Sequence, residues 1–183
     1  MSATLPQALL IIDVQQALFE PPPFEASAVI ERINALAERF RAQGLPVFLI
    51  QHQSAQGPLQ AGSPGWAFAE GLQTRPGDII TPKTTPDSFL RTPLEPALRE
   101  AGVSHVAVCG YASEFCVDTT VRRSAALGLA VTLVADAHTT HDKPHAGGAQ
   151  IRAHENATLP GISSFGPRIR ALPMAELMSA LAL

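Results

Sequence analysis

Two hydrophobic rhythms alternate along this chain. Ala8-Leu-Leu-Ile-Ile-Asp-Val14, Val47-Phe-Leu-Ile-Gln51, His105-Val-Ala-Val-Cys109 and Ala130-Val-Thr-Leu-Val-Ala135 are short, nearly continuous apolar runs. Such runs fit strands buried on both faces. Between them lie stretches with a helical stripe. From Ala26 to Gln43 the apolar positions are Val29, Ile33, Leu36, Ala37 and Phe40, and Gly44 with Pro46 marks the stop. The same reading predicts helices over Pro93–Ala101, ended by Gly102, and over Val117–Leu127, ended by Gly128. Weaker patterns predict a strand at Asp78–Thr81, a helix over Gly147–Thr158, a sixth strand at Ile162–Phe165 and a terminal helix over Met174–Leu183. The alternation predicts an α/β fold, a mostly parallel sheet flanked by helices on both sides in three layers. Residues 1–183 suit one domain, which can bury about 70% of its unfolded surface without staples.

Charge and cysteine usage narrow the class. A net charge of -3 argues against nucleic acid or an anionic membrane as partner. The apolar run at Ala8–Ile12 ends at Asp13 and lacks a basic region before it, so it reads as neither signal peptide nor membrane span. The two cysteines, Cys109 and Cys116, form no CxxC pair and no zinc-finger spacing. These features predict a soluble, cytoplasmic protein. Ser54–Gly77 is long for a connection, and long loops in compact domains are often functional.

Ligands of open α/β sheets bind beyond the carboxyl ends of the strands. The strand pattern puts Asp13 after strand one, Lys83 after strand three and Cys116 after strand four. Cys116 also falls at the start of a helix, whose free N–H groups and dipole favour an anion. A neighbouring lysine would lower the thiol pKa further, and a carboxylate could take the proton as general base. The helix start also offers N–H groups to an oxyanion. Taken singly, each residue has a plainer reading: Cys116 as a small core thiol, Asp13 as a turn cap, Lys83 as a surface lysine. Cys109, inside a strand, reads as core. Phosphate and serine chemistries fail on detail, because GxGxxG after strand one, GxxxxGK[ST] and GxSxG are all missing.

The chain resembles the isochorismatase-like cysteine hydrolase superfamily. The resemblance rests on Leu9-Leu-Ile-Ile-Asp-Val-Gln15, Gly62-Ser-Pro-Gly-Trp66 and Thr81-Pro-Lys-Thr-Thr-Pro-Asp-Ser-Phe89. It continues through Val108-Cys-Gly-Tyr-Ala-Ser-Glu-Phe-Cys-Val117, Thr120 and Ala135-Asp-Ala-His-Thr139. It implies a doubly wound, Rossmann-like sheet, a dimer or tetramer, and an Asp–Lys–Cys triad on Asp13, Lys83 and Cys116. It also implies a cis peptide at Tyr111–Ala112 and an oxyanion hole from the N–H groups of Ala112 and Cys116. Pocket walls are expected from Phe19, Trp66, Tyr111 and Phe89, with Gln15, His52 and Glu114 as polar contacts.

One departure matters. Nicotinamidases of this superfamily hold a metal with an Asp-x-His pair and a later His, whereas this chain reads Gln51-His-Gln53 and then Ala67-Phe-Ala-Glu70. On that pattern no metal and no cofactor is expected, and His138, His141 and His145 are expected in a solvated loop. Retention of Cys116 favours attack on a carbonyl carbon. The expectation is hydrolysis of a C–N bond in a small amide or carbamoyl compound through a thioester. The rivals are vinyl-ether hydrolysis of the isochorismate type and a non-catalytic binding protein that retains the fold.

Overall fold

The computed structural model describes residues 5–181. Five elements form the first half: β1 (Ala8–Ile12), a short α1 (Gln16–Phe19), α2 (Ala26–Ala42), β2 (Val47–His52) and β3 (Ile79–Lys83). The second half holds α3 (Leu94–Glu100), β4 (His105–Tyr111), α4 (Asp118–Ala126), β5 (Ala130–Thr139), α5 (Gly148–Thr158), β6 (Ile169–Leu172) and α6 (Met174–Ala180). The six strands form one parallel sheet in the order β3-β2-β1-β4-β5-β6. The chain winds outward from β1 in one direction, then restarts at β4 and winds the other way. The strand order therefore reverses between β1 and β4, and open sheets of this kind bind ligands beyond the carboxyl ends of the strands at such a switch point.

Strand alternation divides the core into two layers. Leu9 and Ile11 pack with Val29, Ile33, Leu36 and Phe40 of α2 and Leu177 of α6. Ala8, Leu10 and Ile12 face the opposite layer, with Leu94 and Leu98 of α3 and Val121 and Ala125 of α4. Because every β1 side chain is buried, whichever face it takes, the run has to be apolar throughout.

Several expectations need correcting. The third strand runs Ile79–Lys83, so Lys83 is its last residue and pairs with His52 across the ladder. The fifth strand continues to Thr139, because the register between β4 and β5 shifts after Val108 and resumes at Gly110 opposite His138. The sixth strand lies at Ile169–Leu172. Ile162–Phe165 instead enters a turn in which the Gly166 N–H donates to the Ser163 carbonyl, with Gly166 at a φ of 94°. Residues 182 and 183 of the predicted terminal helix, like residues 1–4, lie outside the described residues. A π-helical turn at Ser113–Val117 precedes α4, so the helical segment begins four residues before the predicted start.

Candidate active site

Gly110 brings the two central strands close. It pairs with Ile12 at a φ of 112°, and a Cβ there would stand 2.1 Å from the Ile12 carbonyl oxygen. Only glycine combines that backbone with that approach. Immediately beyond Ile12 the chain turns at Asp13, whose φ of 49° is rare for a non-glycine residue. The Asp13 N–H still donates to the Ile50 carbonyl, so the turn is anchored to β2 while the carboxylate projects from the sheet end.

Lys83 reaches this carboxylate from β3. Its Nζ lies 2.6 Å from Asp13 Oδ2 and also donates to the Thr85 carbonyl at 3.1 Å. Both Lys83 and Asp13 are withdrawn from solvent. A buried charge requires such a partner, since desolvation is costly. Asp13 Oδ1 is buried and has no hydrogen-bond partner.

Cys116 arrives on the π-helical turn that follows the cis Tyr111–Ala112 peptide. It is half-buried, and its Sγ, a carboxylate oxygen of Asp13 and a ring nitrogen of His52 all lie within 4.8 Å of one another. The structure thus brings Asp13, Lys83 and Cys116 together, with His52, expected as a polar contact, beside them. Burial and then the Asp13 charge push the Cys116 thiol up to about 12, against a smaller opposing pull from Lys83. The sequence predicts the opposite direction, from the helix dipole and the lysine. Burial and the carboxylate outweigh both, so the Cys116 side chain rests as a thiol. Cys109 is fully buried core, as expected.

His52 is also perturbed: burial, then the Lys83 charge, lowers its pKa, so the ring is neutral near pH 7. Its Nδ1 is buried without a partner. The absence of an Asp-x-His motif therefore hides a different donor set: Asp13, His52 and Cys116 present one carboxylate, one imidazole and one thiol to a common point.

The expected pocket residues divide by role. Gln15 is fully buried, and its Nε2 donates to the carbonyls of His52 and Trp66, while its Oε1 accepts from the His52 N–H. Gln51, which the sequence reading did not single out, donates to the same Trp66 carbonyl at 2.9 Å. These two amides pin the long loop onto β2, and the Gln15 amide, expected as a polar contact, spends both its Nε2 and its Oε1 on backbone partners. Trp66 itself is half-exposed, with its indole N–H buried and unpartnered. Tyr111 packs 6.0 Å from Phe19, centroid to centroid, and its hydroxyl bonds His141 Nδ1 at 2.9 Å. Phe19 and Phe89 belong to the two core layers. Glu114 accepts from Thr140 Oγ1 and pairs with Lys143 at 3.2 Å.

His138 is a second correction: it is fully buried on β5, not in a solvated loop. Asn156 Nδ2 donates to the Ala135 carbonyl, which turns Asn156 Oδ1 toward His138 Nε2 at 3.0 Å. That nitrogen must carry the proton, so Nδ1 accepts from Ser113 Oγ at 2.8 Å. The network ties the turn bearing Cys116 to β5 and α5. Buried Ser88 and Thr120, hydrogen-bonded at 2.7 Å, tie the segment after Lys83 to α4 in the same way. His141 is held between Tyr111 and the Pro21 carbonyl, and His145 alone of the three is exposed. A cavity of about 660 Å³ among Glu38, Arg41, Pro46, Arg75 and Asp78 opens where β2 begins, at the opposite end of the sheet.

No helix among the described residues is long and apolar enough to cross a membrane. The chain is 40% identical over 144 residues to a streptothricin hydrolase of Streptomyces noursei, covering 76% of this chain and 52% of that protein. It is 28% identical to an ureidoacrylate amidohydrolase, RutB, of Methylobacterium radiotolerans, covering 62% of this chain and 59% of that one. The chain thus spans only a little over half the length of these relatives. A crystal structure of an isochorismatase-family protein from Chromobacterium violaceum superposes with a TM-score of 0.84 at 30% identity, over 100% of this chain and 96% of that one. The isochorismatase domain model matches residues 7–159, which hold Asp13, Lys83 and Cys116, and the chain belongs to the isochorismatase family.

Proposed function

We propose that this protein hydrolyses a C–N bond in a small amide or carbamoyl compound, with Cys116 as covalent nucleophile. The observation that carries the reading is the meeting of a buried Lys83–Asp13 pair with Cys116 at the point where the strand order reverses. The names of the two hydrolase relatives support it. Asp13 Oδ1, the oxygen not held by Lys83, accepts the thiol proton as sulfur attacks the carbonyl carbon. A concerted transfer suits a thiol whose resting pKa is raised, because no free thiolate has to form first. The N–H groups of Ala112 and Cys116 receive the oxyanion. The C–N bond breaks as Asp13 returns the proton to the leaving nitrogen, which leaves a thioester on Cys116. Water, deprotonated by Asp13, attacks the thioester carbonyl, and the thiolate leaving group regains its proton.

Trp66 and Tyr111 form the apolar sides of the pocket, while His52 and the free Trp66 N–H offer polar contacts. Lys83 holds Asp13 in orientation through its contact with Oδ2. The protein works as a cytoplasmic homo-oligomer, dimer or tetramer, on a small molecule and without a cofactor. An ammonia-release screen over small amides, ureides and carbamoyl compounds tests this reading beside Cys116→Ala. Amide hydrolysis requires near-complete loss in the variant. Vinyl-ether hydrolysis would leave most activity.

A further inference from the structure

His52 stands among groups that the proposed hydrolysis already employs, yet that reaction leaves its buried Nδ1 without an assigned partner. It sits at the end of β2, beside Asp13 at the end of β1 and Cys116 on the turn after β4. One donor atom from each lies within 4.8 Å of the other two. The three donor types are a carboxylate, an imidazole and a thiol. This mixed set, in its deprotonated form, is one that Zn²⁺ and other thiophilic dications take, and that Mg²⁺ and Ca²⁺ do not.

Two further features fit a metal. Asp13 Oδ1 is buried and unpartnered, as is His52 Nδ1. The other Asp13 oxygen is already fixed by Lys83 at 2.6 Å, which is the kind of outer partner that orients a ligating carboxylate. Donors at this spacing need to close by only about half an ångström each to reach zinc bond lengths of roughly 2.0–2.3 Å, a movement open to half-buried His52 and Cys116 side chains. Three protein ligands would leave a fourth position for water. The Lys83 ammonium opposes a dication, so selectivity has to come from sulfur and nitrogen rather than from charge.

We propose that Asp13, His52 and Cys116 bind a thiophilic divalent cation such as Zn²⁺, and that the bound ion switches the hydrolase off. The ion takes the nucleophile and the base at once. The Cys116 S–H bond breaks, its proton passes to solvent, and a sulfur–metal bond replaces it without any change in oxidation state. The inhibitory half of this proposal rests on the hydrolytic reading of the site, whereas the binding half does not.

Co²⁺ is the probe, titrated into the full chain without substrate. The expected result is one sulfur-to-cobalt charge-transfer band per chain, displaced by Zn²⁺ and untouched by Mg²⁺. Cys116→Ser abolishes the band, and Cys109→Ser leaves it. His52→Ala and, as a second variant, His52→Gln weaken binding by at least about tenfold while circular dichroism and thermal unfolding stay as in the parent. Absence of the band overturns the proposal, as does its survival in Cys116→Ser or an affinity unchanged in both folded His52 variants. A protein that binds Co²⁺ in this way yet hydrolyses no amide keeps the site and overturns the amidase reading. Amide hydrolysis that needs Cys116 but comes with no band overturns the site alone.

Discussion

Lys83 Nζ lies 2.6 Å from Asp13 Oδ2, and neither side chain reaches solvent. The pair joins the ends of β1 and β3 across β2, so the site and the sheet are held by one contact. Removing one partner leaves a buried charge uncompensated. Lys83→Met should therefore cost about 3–5 kcal/mol in urea unfolding. Asp13→Asn combined with Lys83→Met should recover most of that loss, because an apolar and amide pair has no charge to desolvate. A single-variant cost under about 1 kcal/mol would show that the ion pair is solvated after all.

The thiol and its base make opposite demands. The Asp13 charge raises the Cys116 pKa, second only to burial. Asp13→Asn should then lower that pKa and speed iodoacetamide alkylation of Cys116 at a fixed pH near 9. In the same variant, amide hydrolysis should fall by about 10²–10⁴-fold through loss of general-base catalysis. Alkylation and turnover that fall together would mean that Asp13 positions the thiol rather than deprotonating it.

His138 makes the fold acid-sensitive. Burial lowers its pKa to about 4 from an ordinary 6.5. The unfolded chain therefore binds a proton that the folded chain refuses, so stability falls as pH drops from about 6.5 to about 4 and levels off below. The total from this residue is roughly 3 kcal/mol. His138→Gln should flatten that part of the profile in chemical denaturation measured at successive pH values. An unchanged slope would assign the acid loss to other groups.

Gly110 is the position with the least freedom. An alanine Cβ would meet the Ile12 carbonyl at 2.1 Å, in a backbone conformation that alanine disfavours. Gly110→Ala should cost more than about 3 kcal/mol and reduce the yield of folded protein, whereas Gly128→Ala, with open space around its Cβ, should cost less. Thermal unfolding of the two variants side by side checks the difference.

The central strands were legible because each is buried on both faces and leaves a continuous apolar run. The edges were less legible. Exposed Ile79 and Ile80 mark β3 as an edge strand, where apolar content says little about where pairing starts and stops. β5 outruns its apolar segment because the shifted register carries Asp136 and His138 inside the strand. Asp13, Lys83 and Cys116 could be read from their places at strand ends. Gln51, Ser113, His138 and Asn156 could not, because their value lies in pairings between distant segments. A polar residue soon after an apolar run, as His138 is after Ala130–Ala135, was the available signal. The direction of the Cys116 pKa was misread because burial depth is invisible in sequence.

In the proposed reaction Cys116 attacks a carbonyl carbon with Asp13 as base. The most direct test is ammonia release from a panel of small amides, ureides and carbamoyl compounds by the parent protein and Cys116→Ala. The parent should turn over at least one substrate, with activity in Cys116→Ala at least about 10³-fold lower. A folded Cys116→Ala variant that retains most of the activity would contradict it.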